Sequence, residues 1–133
     1  MIAALVLAIA LFLASVGAHL SILGIGHRML NARQNFSAKL AVALLVPGSH
    51  LLVAILFAAG FWLGSALDLG GFDKTPAMSA MDYFYFSLIN VTTLGLGDIY
   101  PTEHLRVIAG VEALTGFAPV SYTHLTLPTI YSV

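Results

Sequence analysis

The chemistry this sequence can offer is concentrated in seven consecutive residues, Thr92-Thr93-Leu94-Gly95-Leu96-Gly97-Asp98. Glycines two positions apart permit left-handed backbone between residues in ordinary conformations, and that alternation turns successive carbonyl oxygens toward one axis. A column of oxygens built in this way replaces the water stripped from a cation. The carbonyls of Thr93, Leu94, Gly95 and Leu96 would form the column, with the Thr93 hydroxyl closing its inner end. Asp98 follows as a carboxylate at the mouth. The chain has no cysteine, which removes disulfides, thiolate metal sites and thiol chemistry together.

The elements that must hold this segment lie in lipid. The 133 residues are 59% hydrophobic and 8% charged, against about 25% charged in a typical soluble domain, and the mean hydropathy is +0.97. So apolar a chain is too short to bury its own side chains, which excludes an ordinary globular enzyme and requires a bilayer. A net charge of −1 and a pI near 6.5 supply no basic field for nucleic acid.

Ile2 to Ile25 carries no charged residue, so residues 1–26 are expected to form a first transmembrane helix. A signal peptide is the rival reading, given the small residues from Ala14 to Ala18. No basic residues precede the run, however, and the run is longer than a signal core. Residues 27–39 hold Arg28, Arg33 and Lys39, three of the five Lys/Arg in the chain. They read as a cytoplasmic loop by the positive-inside rule, which puts the N-terminus outside. A second span covers 40–67, with Pro47-Gly48 near its start as a kink site.

Residues 68–103 then form an outward-facing loop containing Asp68, Asp73, Lys74 and Asp82. Within it, residues 78–91 are aromatic and too short to cross a bilayer, which fits a re-entrant helix. Ser79 is its expected N-cap, with Asp82 at the capping-box position. Pro101 stops any continuation, and a third apolar helix starts at His104 and runs through residues 104–119.

Tyr85-Phe86-Ser87, followed by the 92–98 segment and Ile99-Tyr100-Pro101, resembles the pore region of potassium channels. Those channels carry an aromatic pore helix, TT[VIL]G[YFL]GD and an inner helix; the likeness covers roughly residues 78–118 and is to small prokaryotic channels with one pore loop per chain. It implies an all-α membrane protein with two full transmembrane helices, a re-entrant pore helix, a selectivity filter and a truncated third, inner helix. It also implies a homotetramer, not an enzyme, in the plasma membrane of a prokaryote, conducting potassium passively through Thr92, Thr93, Leu94, Gly95, Leu96, Gly97 and Asp98. The residues taken to support the filter are Tyr85, Phe86 and Ser87.

No cofactor is expected beyond potassium ions, and the partners are the bilayer and further copies of the chain. The C-terminal end of the pore helix, near Val91, would favour a cation by its dipole. Tyr85 matches the family's aromatic donor to the filter aspartate, here Asp98. Tyr83, Phe84 and Phe86 are expected to form an aromatic cuff against the outer helix. Leu96 departs from the family's commonest tyrosine and cannot hydrogen-bond behind the filter. Leucine or phenylalanine does occur there in the second pore segment of two-pore-domain potassium channels, so the alternative is a weakly selective cation channel. No arginine-rich helix is present, and strong voltage gating is not expected.

His19 and His50 lie on the first two spans, where a membrane haem or redox protein could use them as axial ligands and a packed helix pair as hydrogen-bonding glue. Glu112 could face the cavity and concentrate cations, or pair with Arg106; six residues is a poor spacing for a direct pair, which points to an intersubunit or water-mediated partner. His104 and Arg106 read as interface anchors, and Gly110 and Gly116 as sites of close helix approach. A non-conducting scaffold is a third class, in which Gly95 and Gly97 would tolerate alanine. Residues 120–129, VSYTHLTLPT, resemble the translation of a sequencing adaptor. On that reading residues 120–133 are a non-native tail and the third helix is cut near Pro119.

Overall fold

The computed structural model describes residues 1–32, 35–73 and 77–130, with side chains through Phe117. Arg33, Lys74 and residues 131–133, each mentioned above, lie outside the described residues. Helix α1 spans Ile2–Ala32 and α2 spans Phe36–Ala66. Both carry apolar side chains on every face, as lipid-surrounded helices do, and among the described residues these two are long and apolar enough to cross a membrane.

Asn35 caps α2, its side-chain oxygen accepting from the Ala38 N–H at 3.0 Å. The segment read as a loop over 27–39 is therefore helical through Ala32 and again from Phe36. Unbroken intrahelical hydrogen bonds carry α1 past its apolar run, and polarity alone does not end a helix. Pro47 lies inside α2 without ending it.

After α2 the chain turns through Asp68, at φ 53°, into a two-residue strand β1, Phe72–Asp73. It pairs antiparallel with β2, Tyr100–Pro101, in the register Phe72 with Pro101 and Asp73 with Tyr100. Gly71 N–H donates to the Thr102 hydroxyl at 2.9 Å and Thr102 N–H returns to the Gly71 carbonyl at 2.8 Å. Gly70, at φ 150°, admits no side chain: a Cβ there would stand 2.5 Å from the Thr102 carbonyl oxygen. This clamp closes the loop that contains α3, Ala80–Val91.

Helix α4 runs Leu105–Ile130, so its helical backbone continues across the 120–130 stretch set apart above as non-native. Helix α1 packs against both α2 and α4, and α3 packs against those same two. The core between them holds Ala4 and Ala8 of α1, Phe57 and Phe61 of α2, Val91 of α3, and Leu105 and Ile108 of α4. Gly60 leaves a notch on α2 filled by the Leu11 side chain, which a methyl group would strike.

Candidate functional site

Helix α3 begins in a complete capping box. Ser79 Oγ accepts from Asp82 N–H at 3.3 Å while Asp82 Oδ2 accepts from Ser79 N–H at 2.8 Å and from the Ser79 hydroxyl at 2.7 Å. Those hydrogen bonds, the side-chain one first, hold the Asp82 carboxyl below its ordinary pKa. Two orphan donors at the helix start are thereby satisfied, and a carboxylate stands where the dipole favours it.

One face of α3 is aromatic and locked. Phe86 meets Phe61 of α2 and Phe72 of β1 with ring centroids 5.1 Å apart in each case, and Tyr83 meets Phe72 at 5.6 Å, all edge to face. The cuff thus includes Phe61 and Phe72, from outside the helix, while Phe84 is only partly buried against the same cluster.

The chain leaves α3 by folding onto the last turn. Asn90 O accepts from Thr93 N–H at 2.9 Å, and Ile89 O accepts from both Leu94 N–H and Gly95 N–H, at 2.9 and 3.1 Å. The Thr92 hydroxyl donates back to Leu88 O at 2.8 Å. Beyond that turn every second residue is left-handed: Thr93 at φ 58°, Gly95 at 51° and Gly97 at 74°. The glycine spacing flags the last two; nothing local flags Thr93, because a β-branched residue is unfavourable at positive φ and is kept there only by its surroundings.

Around Gly95 there is open space, so its lack of a side chain serves conformation alone, whereas a Cβ on Gly97 would also come within 3.3 Å of the Tyr100 hydroxyl. Residues 92–96 are exposed, with Leu94 at 62% and Leu96 at 59%. Leu96 therefore has no bed within one chain. At the far end the Tyr85 hydroxyl donates to Asp98 Oδ2 at 2.7 Å, a bond that raises the Tyr85 pKa and ties the end of the segment to the middle of α3.

Behind the segment lies a buried polar cluster. The Ser87 hydroxyl contacts Ala54 O of α2 at 2.7 Å and Glu112 Oε1 of α4. Asn90 Nδ2 donates to Glu112 Oε2 at 2.7 Å and to Ala109 O at 2.8 Å. Ser87 and Glu112 are fully buried. Within the chain Glu112 thus neither faces an open cavity nor pairs with Arg106, because the turn of α4 that carries it lies against α3. Gly116 completes the contact, since a Cβ there would overlap the Val91 backbone. Ser87 and Asn90, three apart in the C-terminal half of α3, are the sequence signal that could have announced this cluster.

His19 and His50 come together, with ring centroids 5.8 Å apart. His19 Nδ1 is 2.9 Å from Ser49 Oγ, whose own hydrogen goes to Val46 O at 2.7 Å, and His50 Nδ1 lies 3.0 Å from the same carbonyl. His19 thus joins α1 to α2 through Ser49 and through its contact with the His50 ring, while the His50 hydrogen bond stays within α2 beside Pro47. Among the described residues no group of three or more His, Asp or Glu side chains could hold a metal ion.

A family model described as "Ion channel" matches residues 49–131, from the middle of α2 through α3, the 92–98 segment and α4. No curated protein and no solved structure matches the chain.

Proposed function

Because this chain belongs to the ion channel family, which is not an enzyme class, we propose that it is the pore-forming subunit of a potassium-selective channel. The observation that carries this reading is the alternation of left-handed backbone at Thr93, Gly95 and Gly97 in an exposed segment at the C-terminal end of α3. Alternation of this kind presents the carbonyls of Thr93, Leu94, Gly95 and Leu96 to one axis, where they substitute for the hydration shell of a potassium ion. A single chain encloses only part of an ion, so copies assemble as a homotetramer around the axis. Thr92 and Asp98 bound the filter, Tyr85 steadies Asp98, and Phe86 and Ser87 anchor α3 behind it.

The dipole of α3 points its negative end toward the inner cavity, which favours cations and opposes anions. Transport is passive, in the plasma membrane of a prokaryote, with the N-terminus outside and the basic 27–39 segment inside. No prosthetic group takes part, and His19 and His50 act as packing residues. The exposure of Leu96 favours a second reading, a weakly selective cation channel, because a side chain without a hydrogen bond behind the filter leaves its width less fixed.

Flux of potassium against sodium in liposomes containing the full chain, with the native reading frame restored beyond Pro119, separates these readings. Potassium-selective flux that disappears in Gly95→Ala supports the carbonyl column, and equal flux of both ions supports the second reading. A folded assembly without flux overturns both.

A further inference from the structure

We propose that Glu112 carries a proton in the folded protein and, in that neutral form, is the positioning residue that sets the end of α3 from which the 92–98 segment departs. The proton follows from counting hydrogens. Ser87 Oγ has one hydrogen to give and lies within bonding distance of two oxygens, Ala54 O at 2.7 Å and Glu112 Oε1. Ala54 O is a carbonyl and can only accept. If the Ser87 hydrogen goes to Ala54, the contact with Glu112 has no hydrogen unless the carboxyl brings one. A protonated Glu112 donates to Ser87, Ser87 donates to Ala54, and Asn90 donates to the other carboxyl oxygen. Every group in the chain of bonds is then satisfied.

The surroundings agree with a neutral group. Glu112 is fully buried, and the groups that meet it are a hydroxyl from α3, an amide from α3 and, through Ser87, a carbonyl from α2. None is a cation, and an isolated buried carboxylate without one is costly. The neutral acid keeps one donor and one acceptor, which are the two roles Ser87 and Asn90 require.

The same bonds reach the 92–98 segment. Asn90 is gripped at its side chain by Glu112 and by Ala109 O, and its backbone carbonyl receives the N–H of Thr93, the first left-handed residue. Gly116, one turn beyond Glu112 on α4, lies directly against the Val91 backbone. Helix α4 therefore holds the last turn of α3 at two successive levels, and Glu112 supplies the polar one.

The conduction half of this proposal rests on the channel reading; the protonation half does not. The test is difference infrared spectroscopy of the full chain in lipid, paired with potassium and sodium flux in liposomes, for wild type, Glu112→Gln and Glu112→Ala. Glutamine reproduces the neutral acid, with its amide nitrogen donating to Ser87 and its oxygen accepting from Asn90. The expected results are a carbonyl band of a protonated carboxylic acid that Glu112→Gln removes, a wild-type flux ratio in Glu112→Gln, and a ratio lowered by roughly tenfold in Glu112→Ala, where Ser87 and Asn90 lose their partner.

Absence of that band, or loss of selectivity in Glu112→Gln, overturns the neutral form. An unchanged ratio in Glu112→Ala overturns the positioning role. Should Glu112→Ala not fold, Ser87→Ala replaces it: removing the acceptor shifts the acid band to higher frequency, and a band that stays in place overturns the Ser87 contact. If wild type carries no flux at all, the channel reading falls and with it the conduction half, while the infrared result still decides the proton.

Discussion

The back of α3 and the segment that leaves its C-terminal end differ in how much of their bonding one chain completes. Behind the helix, Phe86, Ser87 and Asn90 are met by α2, α4 and β1, with rings edge to face and the Ser87 hydroxyl and Asn90 amide nitrogen hydrogen-bonded. In front, residues 92–96 are exposed, and the backbone over 93–97 alternates, with Thr93, Gly95 and Gly97 left-handed. A finished back and an open front teach that the fold spends its packing on holding the segment from one side. Residues 92–96 stay open on the other.

The comparison breaks most completely at Gly95. Replacing it by alanine meets no atom within 4 Å, so the substitution tests backbone alone. A left-handed conformation costs a non-glycine residue about 1–2 kcal/mol. Selective flux in liposomes should vanish while the melting temperature of the assembly changes little. Were flux retained, the open front would have no need of its glycines.

Next in size is Gly116→Ala, which strikes the back. The methyl overlaps the Val91 backbone, which has no rotamer to yield, and overpacking of this kind costs about 1–3 kcal/mol. Thermal denaturation in detergent should show a clear loss of stability, with conduction impaired only as a consequence. Equal melting of variant and wild type would mean that α4 does not press on α3 there.

Tyr85→Phe sharpens the contrast, because Tyr85 joins the two regions through Asp98. Its removal should lower the potassium-to-sodium flux ratio several-fold without a measurable change in melting. The smallest effect belongs to Asp82→Asn, at the far end of α3. The folded-state pKa of Asp82 lies below the ordinary carboxylate value, so its contribution to stability is present above that value and is lost as pH falls through the lowered one. The stability gap between wild type and Asp82→Asn should therefore be widest near neutral pH and close on acidification, as melting curves across pH would record.

Local features of the sequence spoke for local parts of the structure. Ser79 and Asp82 announce a helix start within four residues, and the glycine spacing announces left-handed backbone at Gly95 and Gly97. The extent of α1 and α2 was less legible, because polar residues such as His27, Arg28 and Asn31 favour water without disfavouring helix. Two features were closed to inspection. The φ of Thr93 is imposed by hydrogen bonds from the preceding turn, against the residue's own preference. The partners of Glu112 lie 22 and 25 residues away and meet it only once α3 is laid across α4.

The length of α1 and α2 has a consequence for the lipid around them. Thirty-one residues make a helix about 46 Å long, against a hydrocarbon thickness of about 30 Å. The excess is absorbed by tilt, or by standing the turns that carry Arg28 and Lys39 among the headgroups, where long basic side chains are at home. A bilayer a few ångströms thicker or thinner then slides along these polar-ended shafts, and hydrophobic mismatch is met at the periphery of the protein instead of at its axis.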